Sequence, residues 1–208
     1  MEDKLVYANI FKTALKGLKS QFWLLVGLII GFTIIYSLLI IFTIPEKGEI
    51  FSIKSFVIGV LCVLLFGLFL MGYMKNCLQT LDGEEPQFSA YGQVSRNLLS
   101  FLISYLLYMI IVVIGTALLI VPGVYIALRL QFFFVFIVDD NCGIIESFKR
   151  SWNITNGLFV KLFILMLIMA LIFFIGCFAL VVGIFVAAPL ITLMYGYAYR
   201  KLTEPAAQ

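Results

Sequence analysis

Between Leu158 and Tyr199 the chain carries a single charged residue, Lys161. As one straight helix, at 1.5 Å per residue, this stretch would measure about 63 Å, twice the ~30 Å of a bilayer's hydrocarbon core. Water would not solvate such a rod, and a membrane would not contain it. It must fold back, and the interval from Gly176 to Gly183 holds the expected turn. Pro189 is placed to kink the returning helix. The rest of the chain agrees. Of its 208 residues, 63% are hydrophobic and 12% are charged, against roughly half and a quarter in a soluble domain. That much apolar surface requires the bilayer as part of the solvent. The expected fold is an all-α integral membrane protein with six transmembrane helices and short cytoplasmic interfacial amphipathic helices. One polytopic membrane domain fills residues 1–208: an interfacial helix over 1–21, a six-helix bundle over 22–201 and a loose tail over 202–208.

Residues 4–20 read as that interfacial helix. At helical spacing Tyr7, Phe11, Ala14 and Leu18 share one face, and Lys12, Lys16 and Lys19 share the other, the pattern of a helix lying among headgroups. The polar start and the apolar run of about 23 residues after it are unlike a cleavable signal. Phe22–Ile44 is the first predicted span. Its Gly27 and Gly31 form a G-x-x-x-G that permits close helix approach. A polar turn, Pro45 to Glu49, leads to the second span, Phe56–Met74, after which Lys75 is placed to snorkel. Asp82-Gly83-Glu84-Glu85-Pro86 is a loop, Phe88–Asn97 a second interfacial segment, and Leu98–Val121 the third span.

Pro122-Gly123 is expected to break that span, since proline removes a donor and glycine permits a turn. The following run, Gly123–Val138, is short for a span, and Arg129 lies inside it. A central arginine costs about 2.5–3.5 kcal/mol on the insertion scale, which the apolar run from Phe132 to Val138 roughly offsets. The segment is read as a short fourth span, with a re-entrant segment as the alternative. No acidic residue lies in any predicted span. Arg129 must therefore turn to carbonyls freed near Pro122-Gly123, to the hydroxyls of Ser104, Tyr105, Tyr108 or Thr116, or to a lipid phosphate. Asp139-Asp140-Asn141 is expected to cap the next helix. That helix, over 143–156, is predicted to lie along the membrane surface. Ile144, Ile145, Phe148 and Trp152 cluster on one side of it, and Glu146, Lys149, Arg150 and Asn153 on the other. Asn156-Gly157 ends it, with glycine just past the last turn.

Six spans put both termini on one side. That side collects Lys4, Lys12, Lys16, Lys19, Lys75, Arg96, Lys149, Arg150, Lys161, Arg200 and Lys201, and the other only Lys47 and Lys54. The positive-inside rule makes the termini cytoplasmic. The order also suggests three units, 1–81, 82–140 and 141–201, each an interfacial segment, a long span and a returning span. In this register the stretch from Phe11-Lys12 to Phe22-Trp23 parallels that from Phe148-Lys149 to Leu158-Phe159.

Leu118 to Gly123, Arg129-Leu130, Asp139-Asp140 and Lys149-Arg150-Ser151-Trp152, with Thr155 and Gly157, resemble a broad bacterial group over roughly residues 85–200. That group includes multi-pass proteins of unknown function and the membrane domain attached to some glycerophosphodiester phosphodiesterases. Where its members often have alanine-leucine before the basic pair, this chain has Ser147-Phe148. The resemblance implies a membrane domain. It does not imply phosphodiesterase activity, whose separate barrel needs about 250 residues.

Enzyme chemistry needs convergent polar groups in a pocket. This chain has no histidine, and its carboxylates fall outside the predicted spans, most of them in loops. Asp139-Asp140 with Glu84-Glu85 would be the one divalent-cation pairing, and adjacent acids in turns are more often caps. The four cysteines form no C-x-x-C pair. The net charge of +3 lacks the clustered basic face of a nucleic-acid binder. The residues thus point to a non-catalytic, cofactor-free membrane protein that interacts with lipid or serves a partner. A small transporter or channel for an anionic or amphipathic solute is the alternative. Expected partners are phospholipids and either another protein or a second copy of the chain. The residues singled out are Pro122, Gly123, Arg129, Asp139, Asp140, Lys149, Arg150, Trp152 and Gly157.

Overall fold

The computed structural model describes residues 5–44, 52–178 and 180–204. The polar turn from Pro45 to Glu49, Lys4 and residues 205–208 lie outside them. The elements are α1 (Tyr7–Ser20), α2 (Phe22–Ile41), α3 (Ile53–Leu81), α4 (Ser89–Ser95), α5 (Leu98–Leu118), α6 (Ile120–Leu130), α7 (Phe133–Asp139), α8 (Ile144–Ile154), α9 (Phe159–Phe178) and α10 (Leu180–Thr203). Among the described residues, five stretches are long and apolar enough to cross a membrane: α2, α3, α5, Ile120–Asp139 (α6 with α7) and α9. The expected fold-back falls between α9 and α10, and Pro189 lies inside α10.

A short helix, a long helix and a returning helix recur three times in this order. The returning helices are α3, α6–α7 and α10. Each short helix packs on the returning helix of the unit before it: α4 on α3, α8 on α7 and, closing the cycle, α1 on α10. The register read from the sequence holds in detail. Aligning Phe11 with Phe148 puts the buried stripe of α1, Ile10, Ala14 and Leu18, opposite that of α8, Ser147, Ser151 and Thr155. Lys12, Lys16 and Lys19 are exposed as expected, but Ile10, not Phe11, completes the buried face of α1.

The returning helices meet at one end of the molecule. Phe132 stacks on Tyr195 with ring centroids 4.9 Å apart, and Phe136 meets Tyr199 edge-on at 5.0 Å. Asp139, at the end of α7, takes Lys75 Nζ of α3 at 3.1 Å and Arg200 Nη1 of α10 at 2.5 Å. Arg200 also holds Asp82. Lys75 is therefore an ion-pair partner rather than a snorkelling residue, and α3 continues past Met74 to Leu81. The same pairing carries α10 through Arg200-Lys201 to Thr203, with Leu202 buried, where a loose tail was expected.

Candidate functional site

Two interruptions shape the segment after α5. The first is a single extended residue, Leu119, with φ −161° and ψ 139°. Pro122 falls in the first turn of α6, where its missing N–H would have had no intrahelical partner. Pro122-Gly123 is thus not the break the sequence suggested. Gly123 has another reason to be glycine. A Cβ there would lie 2.3 Å from Thr116 Oγ1 and 2.6 Å from the Thr116 nitrogen, so its absence lets α6 pack directly on α5.

The second interruption, at Gln131-Phe132 between α6 and α7, leaves backbone groups without helical partners. Side chains satisfy them. The Phe132 N–H donates to Ser151 Oγ at 3.1 Å. The hydroxyls of Ser151 and Thr155 both donate to the Arg129 carbonyl at 3.0 Å. The Tyr195 hydroxyl donates to the Gln131 carbonyl. Ser147, Ser151 and Thr155 are all 0% exposed, so α8 docks through a hydroxyl stripe at i, i+4, i+8 spacing. It runs antiparallel to α7, with Thr155 beside Arg129 and Phe148 against Phe133 at 5.1 Å. Of the residues expected on its apolar side, Ile144 and Phe148 are half-buried, while Ile145 and Trp152 are exposed. Glu146, Lys149, Arg150 and Asn153 are exposed as expected.

Arg129 is 3% exposed. Its Nη1 donates to Asn156 Oδ1 at 3.1 Å, and its guanidinium carbon lies 4.3 Å from the Trp152 ring centroid and 5.8 Å from that of Tyr125. No ion pair joins it to a carboxylate among the described residues, as the sequence implied. Three of the hydroxyls anticipated for it do not serve: Tyr108 donates to the Ala127 carbonyl, Thr116 donates to its own helix at Val112, and Ser104 is buried with no hydrogen-bond partner among the described residues. Asn156 was read only as a helix terminator, and its amide was the overlooked acceptor. Gly157 does end α8 as expected: at φ +73° it adopts the left-handed turn that releases the chain into α9.

Asp139 and Asp140 do not cap α8. Its N-cap is Gly143, with no side-chain cap bond. Asp139 belongs to the ion cluster on α3 and α10, and Asp140 pairs with Arg150 at 2.8 Å, which also holds Glu146 at 2.5 Å. Cys142 is influenced by the Asp140–Arg150–Glu146 group, and its thiol is pushed up by burial, partly countered by Arg150. Among the described residues no group of three or more His, Cys, Asp or Glu is placed to hold a metal ion.

The match that places the chain covers residues 44–207, from just before α3 to beyond the end of α10, and is to a domain of unknown function, DUF7847. The chain belongs to this family. Among curated proteins it is similar to the uncharacterised protein Rv2560 of Mycobacterium tuberculosis (strain ATCC 25618 / H37Rv), at 30% identity over 135 residues. The uncharacterised protein Mb2590 of Mycobacterium bovis matches at the same identity and length. In both, the aligned stretch covers 64% of this chain and 40% of the relative, so the chain spans well under half of these longer proteins. No solved structure matches. None of these matches is to a membrane domain of a glycerophosphodiester phosphodiesterase, so that part of the resemblance finds no support.

Proposed function

We propose that this DUF7847 chain is a non-catalytic membrane protein that gathers anionic phospholipid around one end of its bundle. The observation that carries this reading is the division of the molecule along its length. Its buried residues concentrate where α3, α7 and α10 meet α1, α4 and α8. That end also carries the exposed Lys12, Lys16, Lys19, Arg96 and Lys149. The far halves of the long helices expose apolar side chains such as Ile34, Val57, Val113 and Phe174. Acyl chains suit the second region. Anionic headgroups suit the first, at about 1 kcal/mol per basic residue near the surface.

In this reading α10 is the sixth membrane segment, its 24 residues being long enough to cross. Both termini are cytoplasmic in a bacterial plasma membrane, with α1, α4 and α8 at the cytoplasmic surface. The tip joining α5 to α6, Leu118 to Val121, is apolar and exposed, and we place it within the hydrocarbon. The test is lipid composition around the purified chain in mixed phosphatidylcholine and phosphatidylglycerol nanodiscs, read by native mass spectrometry. Retained lipid should be enriched in phosphatidylglycerol, and less so in Lys12→Gln/Lys16→Gln/Lys19→Gln. Retained lipid matching the bulk mixture would remove the proposal. Substrate-dependent flux of an anionic solute through proteoliposomes would favour a transporter instead.

A further inference from the structure

In each unit a short helix packs on the returning helix before it, and so faces the long helix of that hairpin. Two of these three seams are closed by the protein itself. In the second unit α8 packs on α5 as well as on α7. In the third, the Tyr7 hydroxyl of α1 donates to the Lys161 carbonyl of α9 at 3.3 Å. In the first unit α4 and α2 show neither comparable packing nor a hydrogen bond among the described residues. The short helix is shorter here, 7 residues against 11 in α8 and 14 in α1. A groove of about 500 Å³ lies in the seam left open.

One wall of the groove is the stripe Trp23, Gly27, Gly31 and Ile35 of α2. A Cβ at either glycine would meet nothing within 4 Å, so the stripe is open along its middle. The floor is Phe32 stacked on Phe69 of α3, with ring centroids 3.8 Å apart. Tyr91 of α4 is the opposite wall. Gly72 holds that wall in place, since a Cβ there would fall 2.2 Å from Tyr91 Cδ1; the ring therefore lies directly on the α3 backbone. Trp23 and Phe88 stand exposed at the end where α2 begins, as aromatic side chains do at the level of headgroups.

From Trp23 to Ile35 the groove follows α2 for about 18 Å. Its volume spread over that length gives a mean cross-section of about 28 Å². A helix, about 10–12 Å across, needs roughly three times as much. A single hydrocarbon chain, whose carbons pack at about 4 Å, fits. No charged residue lines the groove, so nothing inside would hold the carboxylate of a free fatty acid.

We propose that this groove is a subsite for one acyl chain of a phospholipid, whose headgroup stays outside beside Trp23 and Phe88. The acyl chain fills between α2 and α4 the seam that the protein closes by itself in the other two units. This site does not rest on the lipid-gathering reading, which concerns headgroup charge.

The test is native mass spectrometry of the full-length protein from detergent micelles with added dioleoylphosphatidylcholine, a lipid of no net charge. The wild type should keep one lipid per protein. Gly27→Leu/Gly31→Leu fills the groove and should hold that lipid about tenfold or more weakly. The variant should fold, because both positions are open and leucine is the better helix former. Gly31→Leu alone should weaken retention in the same direction. Gly59→Leu is the control: its position is equally open but lies outside the groove, and it should keep lipid as the wild type does. The proposal is overturned if the wild type keeps no lipid, or if Gly27→Leu/Gly31→Leu keeps it as firmly as the wild type. A wild-type dimer that this variant splits would also overturn it, since a second copy would then occupy the groove. Loss of phosphatidylglycerol enrichment in nanodiscs, with this retention intact, would sink the lipid-gathering role and leave the groove site standing.

Discussion

Ser151→Ala tests how the chain tolerates a helix break inside an apolar bundle. Ser151 Oγ accepts from the Phe132 N–H at 3.1 Å and donates to the Arg129 carbonyl at 3.0 Å. The carbonyl keeps a second donor, Thr155. The N–H has no other partner among the described residues, so alanine leaves a buried donor unsatisfied, at a cost of about 1–3 kcal/mol. The lost bond to the carbonyl adds about 0.5–1.5 kcal/mol, since one donor remains. A destabilisation of about 2–3 kcal/mol is expected, toward the lower figure because bonds inside membrane proteins average less than in water. Thr155→Val should cost about 1 kcal/mol, and the double variant more than the sum, because the carbonyl then loses both donors. Ser147→Ala is the control. Ser147 is equally buried, but among the described residues its hydroxyl bonds only the Ile144 carbonyl of its own helix, at 2.7 Å. It should cost less than about 0.5 kcal/mol. Unfolding in mixed dodecyl maltoside and dodecyl sulfate micelles, followed by circular dichroism, gives these differences. If Ser151→Ala and Ser147→Ala prove equal, burial alone matters and the hydrogen-bonded break does not.

Four further outcomes are expected. Gly123→Ala should destabilise by about 1–3 kcal/mol, because its methyl would meet the α5 backbone at Thr116; the same micelle titration reads it. Asp139→Asn should loosen α10 from α3 and α7 by removing the anion shared by Lys75 and Arg200, seen as faster hydrogen exchange in the last turns of α10. Cys142 should react slowly with maleimide at neutral pH, since it is buried and its thiol is pushed up; the rate should rise as pH climbs and the thiolate forms, and fast labelling at pH 7 would contradict this. Cysteine placed at Leu119 should resist a membrane-impermeant thiol reagent from either side if the α5–α6 tip stays in hydrocarbon.

The sequence made the membrane class, the fold-back after Lys161 and the threefold order of elements legible, because each is written in hydropathy and turn residues. The docking of α8 was harder. Reading it by apolar residues chose Ile145, which is exposed, and passed over Ser147, Ser151 and Thr155, which form the true contact. Their i, i+4, i+8 spacing was visible, but hydroxyls count as surface residues until a broken backbone supplies them with partners. Pro122 suggested a break because proline ends helices, yet a helix can also begin with it. Asp139 looked like a cap because its sequence neighbours are polar. Its actual partners, Lys75 and Arg200, lie 64 and 61 residues away, and no local pattern announces them. For Arg129 the lack of an acid was readable, whereas Asn156 was hidden by its role at a helix end.

The most direct check on the lipid-gathering role is the lipid content of discs cut from native membranes by styrene–maleic acid copolymer, with the full chain as the affinity handle. The predicted result is a disc richer in anionic phospholipid than the bulk membrane, an excess that falls in Lys12→Gln/Lys16→Gln/Lys19→Gln. A disc of bulk lipid composition carrying a stoichiometric protein partner would contradict it and make this chain a protein scaffold instead.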